Sequence, residues 1–198
     1  MLDVLNRKIR QMHAALGSAV TEDFSETKIV ASSTRTSTTI KYTFGPKDDP
    51  IALANSASLL IANIASIKDH LKHWCQERNL DFSGEKLINS NNAVALIHDL
   101  WNVDKHGKLT SPPRSGRVPR LVNLKTTMRV TTNSTVQVML VPTQDGGWKP
   151  QTDGNGSVAL VLTGRIVDEN DNDLGEFVAT CEQAAEAWQQ ELHRAGVA

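Results

Sequence analysis

The chain has 198 residues, of which 39% are hydrophobic and 22% are charged, and its formal net charge at pH 7 is −1. These proportions are typical of a globular domain and exclude an intrinsically disordered chain. The balanced charge argues against a general nucleic-acid-binding protein but is compatible with a local basic patch. A chain of this length is expected to form one domain, residues 1–198, around a single core.

The sequence pattern is that of a cytoplasmic protein without a membrane partner. The longest apolar stretch, residues 57–67, contains polar interruptions and is shorter than the roughly 20 residues that a membrane span requires. The first residues mix charges with apolar side chains, unlike a secretory signal. We therefore expect no export, and we expect Cys75 and Cys181 to be reduced thiols.

Apolar residues at helical spacing predict one helix at each end of the chain. The N-terminal helix runs from about Leu2 to Gly17 and has basic residues at positions 7, 8 and 10 on its polar side. Such a helix covers a core more often than it lies on a membrane surface. The C-terminal helix is predicted over residues 176–194, and its apolar side consists of Phe177, Cys181, Ala184, Trp188 and Leu192.

Two further helices are predicted to form an antiparallel hairpin over residues 50–107. Asp49 is placed to cap the first helix, which begins at Pro50 and keeps apolar residues at helical spacing to about residue 79. The second helix follows Ser90-Asn91-Asn92 and ends at the glycine that closes this range.

Segments rich in β-branched residues predict strands. One strand is predicted over residues 34–44, and three more lie in the sheet region 120–167, where even-numbered positions are apolar or β-branched. A proline-containing loop, residues 110–119, precedes this region. The chain is therefore predicted to be an α+β protein in which the helical hairpin and the terminal helices pack on an antiparallel sheet with one buried face.

Polar residues form a stripe on each helix of the predicted hairpin. Asp69 and His70 lie on the first helix, and Asn102 and His106 are about one turn apart on the second. If the stripes face each other, we expect these four side chains to meet in a partly buried network in which a carboxylate orients an imidazole. The alternative is that Asn102 and His106 satisfy backbone groups near the helix end.

The histidines also suggest a competing interpretation as a metal site. Imidazoles are good ligands for zinc, iron or nickel, but the spacing here matches no established metal motif. We therefore predict no metal and no cofactor. The residues of such a site would be His70, His73, His98 and His106.

The second predicted helix resembles a known family. The segment Asp99-Leu-Trp-Asn-Val-Asp-Lys-His-Gly-Lys-Leu resembles the helix end of uncharacterised bacterial proteins that carry an Asn-x-x-Lys-His pattern, and Ile67-Lys-Asp-His-Leu resembles their Leu-Asp-His element. Both are similar to the HEPN group of helical domains, in which a polar residue followed after a short gap by His belongs to a ribonuclease motif. Asn102 and His106 match those positions, and Trp101 stands where the motif has Arg. The resemblance covers about residues 50–110 and implies a divergent ribonuclease centred on His106.

Basic residues cluster in and after the proline-containing loop. On the predicted sheet, Lys125, Arg129 and Arg165 project from the outer face, where they could bind phosphate or an acidic partner. An ordinary solvated sheet face is the alternative. The predicted anion-binding residues are Arg117, Arg120, Lys125, Arg129 and Arg165.

The sequence favours a binding protein over an enzyme. It contains no nucleotide-binding loop, dinucleotide fingerprint or nucleophile elbow. We therefore interpret the protein as a cytoplasmic binding or interaction module that contacts RNA, another polyanion or an acidic protein through its basic sheet face. The alternative is the divergent ribonuclease, which needs a basic side chain brought to His106 because cleavage requires both a proton-transfer group and a cation at the phosphate.

Overall fold

The computed structural model describes residues 2–22, 24, 27–33, 38–43, 49–131, 138–142, 144, 148–152 and 156–197. Together these residues form six helices and eight strands, which confirms the predicted α+β class. The helices are α1 Leu2–Ser18, α2 Pro50–Ala65, α3 Ile67–Glu77, α4 Gly84–Ser90, α5 Asn92–His106 and α6 Phe177–Arg194. The strands are β1 Val20–Thr21, β2 Lys28–Ser33, β3 Thr38–Thr43, β4 Arg120–Thr131, β5 Val138–Pro142, β6 Trp148–Thr152, β7 Ser157–Val167 and β8 Asp173–Glu176.

The chain divides into two compact units, which are described separately. The helical unit contains residues 1–19, 54–124 and 163–198, and the strand unit contains residues 20–53 and 125–162. The expectation of a single domain over residues 1–198 stays a prediction.

The core of the helical unit lies among its packed helices. α5 packs along α6, α4 packs against α3, α5 and α6, and α1 packs against α3 and α6. The apolar side predicted for the C-terminal helix is confirmed, since Phe177, Cys181, Ala184, Trp188 and Leu192 each expose 3% of their surface or less. The core of this unit also contains Leu5, Met12, Ile64, Leu71, Ile88 and Ile97.

The region predicted as a two-helix hairpin contains four helices. Ser66 separates α2 from α3, and its hydroxyl donates to the carbonyl oxygen of Asn63 at 3.3 Å, a local bond that competes with regular helix geometry. The backbone of Ser66 keeps helical angles, with φ −68° and ψ −16°, so the interruption is slight. The additional helix α4 has seven residues, which is too few for a periodic pattern to reveal it.

The ends of the predicted helices are confirmed by their caps. A carboxylate oxygen of Asp49 accepts from two backbone N–H groups at the start of α2, at 2.8 and 2.9 Å. At the start of α5, the side chain of Asn91 accepts from the backbone N–H of Val94 at 3.1 Å. Gly107 closes α5 with a left-handed φ of 71°, which a residue without a side chain adopts at little cost.

A four-stranded sheet contains β1, β7 and β4 in that order, with β8 also paired to β7. β7 is antiparallel to β1, where Val20 lies opposite Val161, and to β8, where Arg165 lies opposite Glu176. The expectation of one buried face is wrong for β7. Its consecutive residues 158–162 are all buried, so side chains on both faces of this strand are covered.

The strand unit contains two further antiparallel ladders, β2–β3 and β5–β6. The predicted arrangement is corrected here, because β5 pairs with β6 rather than joining the sheet of β4 and β7. The short connection between β5 and β6 favours a local hairpin over a more distant partner. Of the predicted strand over residues 34–44, the part 38–43 is confirmed as β3, and the remaining positions lie outside the described residues.

Helices α2 and α3 form the part of the chain that matters for the prediction of no membrane span. Together they span 28 residues, Pro50–Glu77, and their most apolar window has a mean hydropathy of 1.5, so by length and composition alone this stretch could cross a membrane. The prediction of no membrane span rests on the shorter stretch 57–67. Of the most apolar window of α2 and α3, 39% is buried inside the protein. The absence of a membrane partner and the cytoplasmic location stay predictions.

The unpredicted helix α4 begins with a buried glycine that packs against the ring of Phe82. A Cβ atom at Gly84 would collide with the ring of Phe82, and Gly84 is itself buried. We expect Gly84→Ala to lower the free energy of unfolding by about 1–3 kcal/mol, the usual cost of overpacking. Chemical denaturation measures this change.

The control for this substitution is Gly17→Ala in α1, where an added Cβ meets nothing within 4 Å. That substitution is expected to be neutral or stabilising, because alanine favours a helix by roughly 0.5–1 kcal/mol over glycine. Equal stability of the Gly84→Ala protein and the wild type would contradict the packing described for α4.

Candidate functional site

A charged network connects α3, α4 and the loop that follows α5. The ammonium of Lys68 lies 2.7 Å from one carboxylate oxygen of Glu85, and the guanidinium of Arg114 lies 3.3 Å from the other. Arg114 also donates to the side-chain oxygen of Asn89 at 2.8 Å. The hydrogen bond from Lys68 and the nearby cations hold the pKa of Glu85 below its usual range.

His98 lies beside this network and is half-buried. Burial lowers the pKa of His98, and the positive charge of Lys68 lowers it further. One turn along α5, the amide nitrogen of Asn102 lies 3.1 Å from Nδ1 of His98. An amide nitrogen only donates, so Nδ1 of His98 accepts in this contact when the imidazole is neutral.

Asp99 is a buried carboxylate that fixes the loop after α5. It exposes 1% of its surface. One oxygen accepts from the backbone N–H of Arg114 at 3.0 Å, and the other accepts from the backbone N–H and the hydroxyl of Ser115 at 2.8 and 2.7 Å. Asp99 therefore holds the loop against α5, a role that the sequence analysis did not identify.

The four residues predicted as catalytic lie on two helices, Asp69 and His70 on α3 and Asn102 and His106 on α5. Ser58 of α2 donates to Asp104 near the end of α5 at 3.2 Å. The positive charge of Lys68, next to Asp69, acts on His98, which lies 3.1 Å from Asn102. The expected network across the hairpin stays a prediction.

His106 is exposed in the last turn of α5. Its neighbour Lys105 lies over the ring of Trp101, 5.9 Å from the centroid. The adjacent basic side chain is thus directed to an aromatic ring. The cation that the ribonuclease interpretation requires at His106 is not among the contacts found in the described part of the chain.

His70 instead lies between α1 and α3, at a small cavity that we call the histidine pocket. The cavity has a volume of about 260 Å³ and is lined by Val4, Leu5, His70, His73 and Trp74. Burial lowers the pKa of His70, and the charge of Lys8 lowers it further. His73 and Arg7 act in the same direction, and Asp69 opposes them. The charges of Lys8, His73 and Arg7 therefore disfavour a further positive charge on His70.

Trp74 carries two features of the same pocket. The guanidinium of Arg78 stacks on its ring, 4.4 Å from the centroid. Its indole Nε1 is buried and lacks a hydrogen-bond partner in the part of the chain that the structure describes. A buried donor without an acceptor costs free energy.

Three of the five predicted anion-binding residues are paired with acids. Arg117 lies 3.0 Å from a carboxylate oxygen of Asp168, and both Arg120 and Arg165 form ion pairs. Their partners lie in the turn between β7 and β8 and at the start of β8, in the pairs Arg120–Asp171 and Arg165–Asp173. Lys125 and Arg129 are exposed residues of the strand unit. Arginines that already neutralise carboxylates are poor candidates for a ligand.

Asp168 organises this acidic turn. Its side chain is only 3% exposed. It accepts hydrogen bonds from the backbone N–H groups of Asn170 and Asn172, each at 2.9 Å, and from the side-chain amide of Asn172 at 2.9 Å. The hydrogen bonds from Asn172 make the largest contribution and those from Asn170 and Arg117 a smaller one, and they lower the pKa of Asp168 to about 2.

The residues missed by the sequence analysis are the partners of the histidine pocket. Arg7 and Lys8 appear in the sequence as the polar side of α1, a signal that is present in many surface helices. Their relation to His70 and His73 depends on how α1 packs against α3, which no local pattern records. Within the described ranges, no three His, Cys, Asp or Glu side chains converge in a way that could hold a metal ion.

Comparisons of the chain with protein-family models, with curated proteins and with solved structures find no match. The likeness of residues 50–110 to HEPN domains stays a prediction.

The buried carboxylate Asp99 provides a test of the loop anchor. We expect Asp99→Ala to lower the free energy of unfolding by about 1–3 kcal/mol, because it removes the acceptor of three donors. Chemical denaturation of His106→Ala provides the control from the same helix. His106 is exposed, so its removal should change stability by no more than about 0.5 kcal/mol. A larger effect of His106→Ala than of Asp99→Ala would contradict this structure.

His98 provides a test by pH. Its pKa in the folded protein lies below the unfolded value of about 6.5, so the unfolded state takes up a proton first as the pH falls. The contribution of His98 is therefore complete above that value and is lost as the pH falls toward its folded-state pKa. We expect His98→Gln to lose less stability than the wild type between pH 7.5 and pH 5.5, measured by urea unfolding. An equal or greater loss in His98→Gln would exclude this role.

Proposed function

We propose that this protein is a binding module for RNA or another polyanion, and that the anion binds at the histidine pocket between α1 and α3. The observations that carry the proposal are that His70 and His73 line one cavity and that the positive charges of Lys8 and Arg7 act on His70. The class of function is the one expected from the sequence. The proposed surface is different, because Arg117, Arg120 and Arg165 are paired with carboxylates.

The ion pairs of the acidic turn argue against the sheet face as the binding surface. A phosphate bound by Arg117 would compete with Asp168, whose carboxylate is buried and would lose a charge-assisted hydrogen bond. The pairs of Arg120 and Arg165 lie at the surface and would also have to open. Binding there would replace existing interactions rather than add new ones.

At the histidine pocket, by contrast, positive charges act on His70. The pKa of His70 is lowered by burial and by the cations of α1, so that another positive charge is disfavoured there. A bound anion would reverse this effect and raise the pKa of His70. Proton uptake would then accompany binding, and affinity would increase as the pH falls through the histidine range.

Trp74 lines the pocket, and its buried Nε1 group lacks an acceptor within the described residues. Arg78 stacks on the same ring and lies 3.9 Å from a carboxylate oxygen of Glu77, so it is already paired with an acid. Phosphate groups combine negative charge with several acceptor oxygens.

The exposed location of His106 favours binding over cleavage. A ribonuclease site needs a cation at the phosphate as well as a proton-transfer group. Lys105 is directed to Trp101. The ribonuclease alternative therefore has no specific observation in its favour.

The double variant Arg7→Gln/Lys8→Gln tests the proposed surface. We expect it to bind poly(U) RNA more weakly than the wild type does, with a less steep dependence on salt. The slope of log affinity against log salt should fall by about 0.7 for each phosphate contact that is lost. Fluorescence titration at several salt concentrations measures both quantities.

The matched control is Lys86→Gln/Lys108→Gln, which removes the same charge from two exposed positions elsewhere. It should retain wild-type affinity and slope. Equal weakening by both double variants would show that only net charge matters and would overturn the proposal. Binding that does not strengthen between pH 7.5 and pH 5.5, or that strengthens equally in His70→Gln, would remove His70 from the site.

A further inference from the structure

A second cleft lies between α5, α6 and β8 and shares no lining residue with the histidine pocket. Its volume is about 670 Å³, within the range of ligand-binding clefts. It is formed by the start of α5, the first four turns of α6 and strand β8, all within the helical unit. Its location makes it independent of the proposed polyanion site.

The lining of this cleft is rich in side-chain amides and contains no basic residue among the described positions. Asn91 and Asn92 contribute from α5, and Gln183 and Gln190 contribute from α6. The floor between them consists of small or apolar side chains. These are Ala93, Leu96, Ala179 and Ala187.

The two carboxylates of the lining differ in their surroundings. Glu176 caps α6, because its side chain accepts from the backbone N–H of Ala179 at 2.7 Å. Glu186 is exposed on the second turn after Ala179, and no cation lines the cleft beside it in the described ranges. The cleft therefore offers one carboxylate to a positively charged ligand.

The amide groups match the main chain of a peptide. A carboxamide has both donor hydrogens and an acceptor oxygen, as a peptide unit does. Gln183 and Gln190 are seven residues apart on α6, which corresponds to about 10.5 Å along the helix. An extended chain covers that distance in about three residues. Asn91 uses its oxygen to cap α5, so its NH₂ group can donate across the cleft.

We propose that this cleft binds an extended peptide segment of about three residues that carries a lysine or arginine side chain. The main chain of the peptide lies along Gln183 and Gln190, and the basic side chain reaches Glu186. The small side chains of the floor leave room for the peptide main chain to approach both helices. The negative charge of Glu186 sets the preference for a basic over an acidic peptide.

The proposal can be tested with blocked tripeptides and ¹⁵N-labelled protein. Acetyl-Ala-Lys-Ala-amide should produce saturable shifts in the amide signals of residues 90–96 and 174–190. Acetyl-Ala-Glu-Ala-amide should bind about 2–5-fold more weakly, the range expected for one exposed ion pair. Glu186→Gln should remove this difference between the two peptides.

The second variant tests the amide contacts. Gln183→Ala should weaken both peptides by about 2–10-fold, as the loss of a hydrogen bond requires. The control is Gln189→Ala, an exposed residue of α6 that does not line this cleft and should leave the affinity unchanged.

Three outcomes would overturn the proposal. They are the absence of saturable shifts with either peptide, equal weakening by Gln183→Ala and Gln189→Ala, and equal or tighter binding of spermidine, a polyamine without peptide groups. The polyanion site can fail in its own test without affecting this result, because the two sites share no lining residue.

Discussion

Two buried carboxylates, Asp99 and Asp168, determine which cations of the helical unit are available to a ligand. A buried carboxylate must be satisfied by donors, and each of these accepts hydrogen bonds from a neighbouring loop. Asp99 holds the loop after α5, and Asp168 holds the turn after β7 and engages Arg117. The loop and the turn are thereby fixed near each other, which explains why their basic and acidic residues pair.

Arg117, Arg120 and Arg165 neutralise carboxylates between β7 and β8 and in β8, whereas Lys8 and Arg7 act on His70 at the histidine pocket, with Asp69 as the opposing acid. The net charge of −1 therefore does not show which cations are paired with carboxylates and which are not. Two of the clefts in the helical unit differ in the same way, since two histidines line one and a carboxylate with amides lines the other.

Local patterns predicted the elements better than they predicted the contacts between elements. The stripe of α6, the cap at Asp49 and the glycine after α5 are short-range features, and the structure confirms them. α4 is too short to show a period. The pairs of Arg117 and Arg120 with the acidic turn join residues 51 positions apart, and the register of the hairpin depends on a contact between Ser58 and Asp104. Such contacts are set by tertiary packing, which no local pattern in the sequence records.

The most direct test of the account is a map of the surface that a polyanion contacts. ¹H–¹⁵N spectra recorded during a titration with poly(U) report on each backbone amide of the intact protein. The account predicts the largest shifts at residues 4–10 and 68–78, where α1 and α3 form the histidine pocket. Largest shifts at residues 117–129 and 165 instead would contradict it, because they would show that the paired arginines open to bind the ligand.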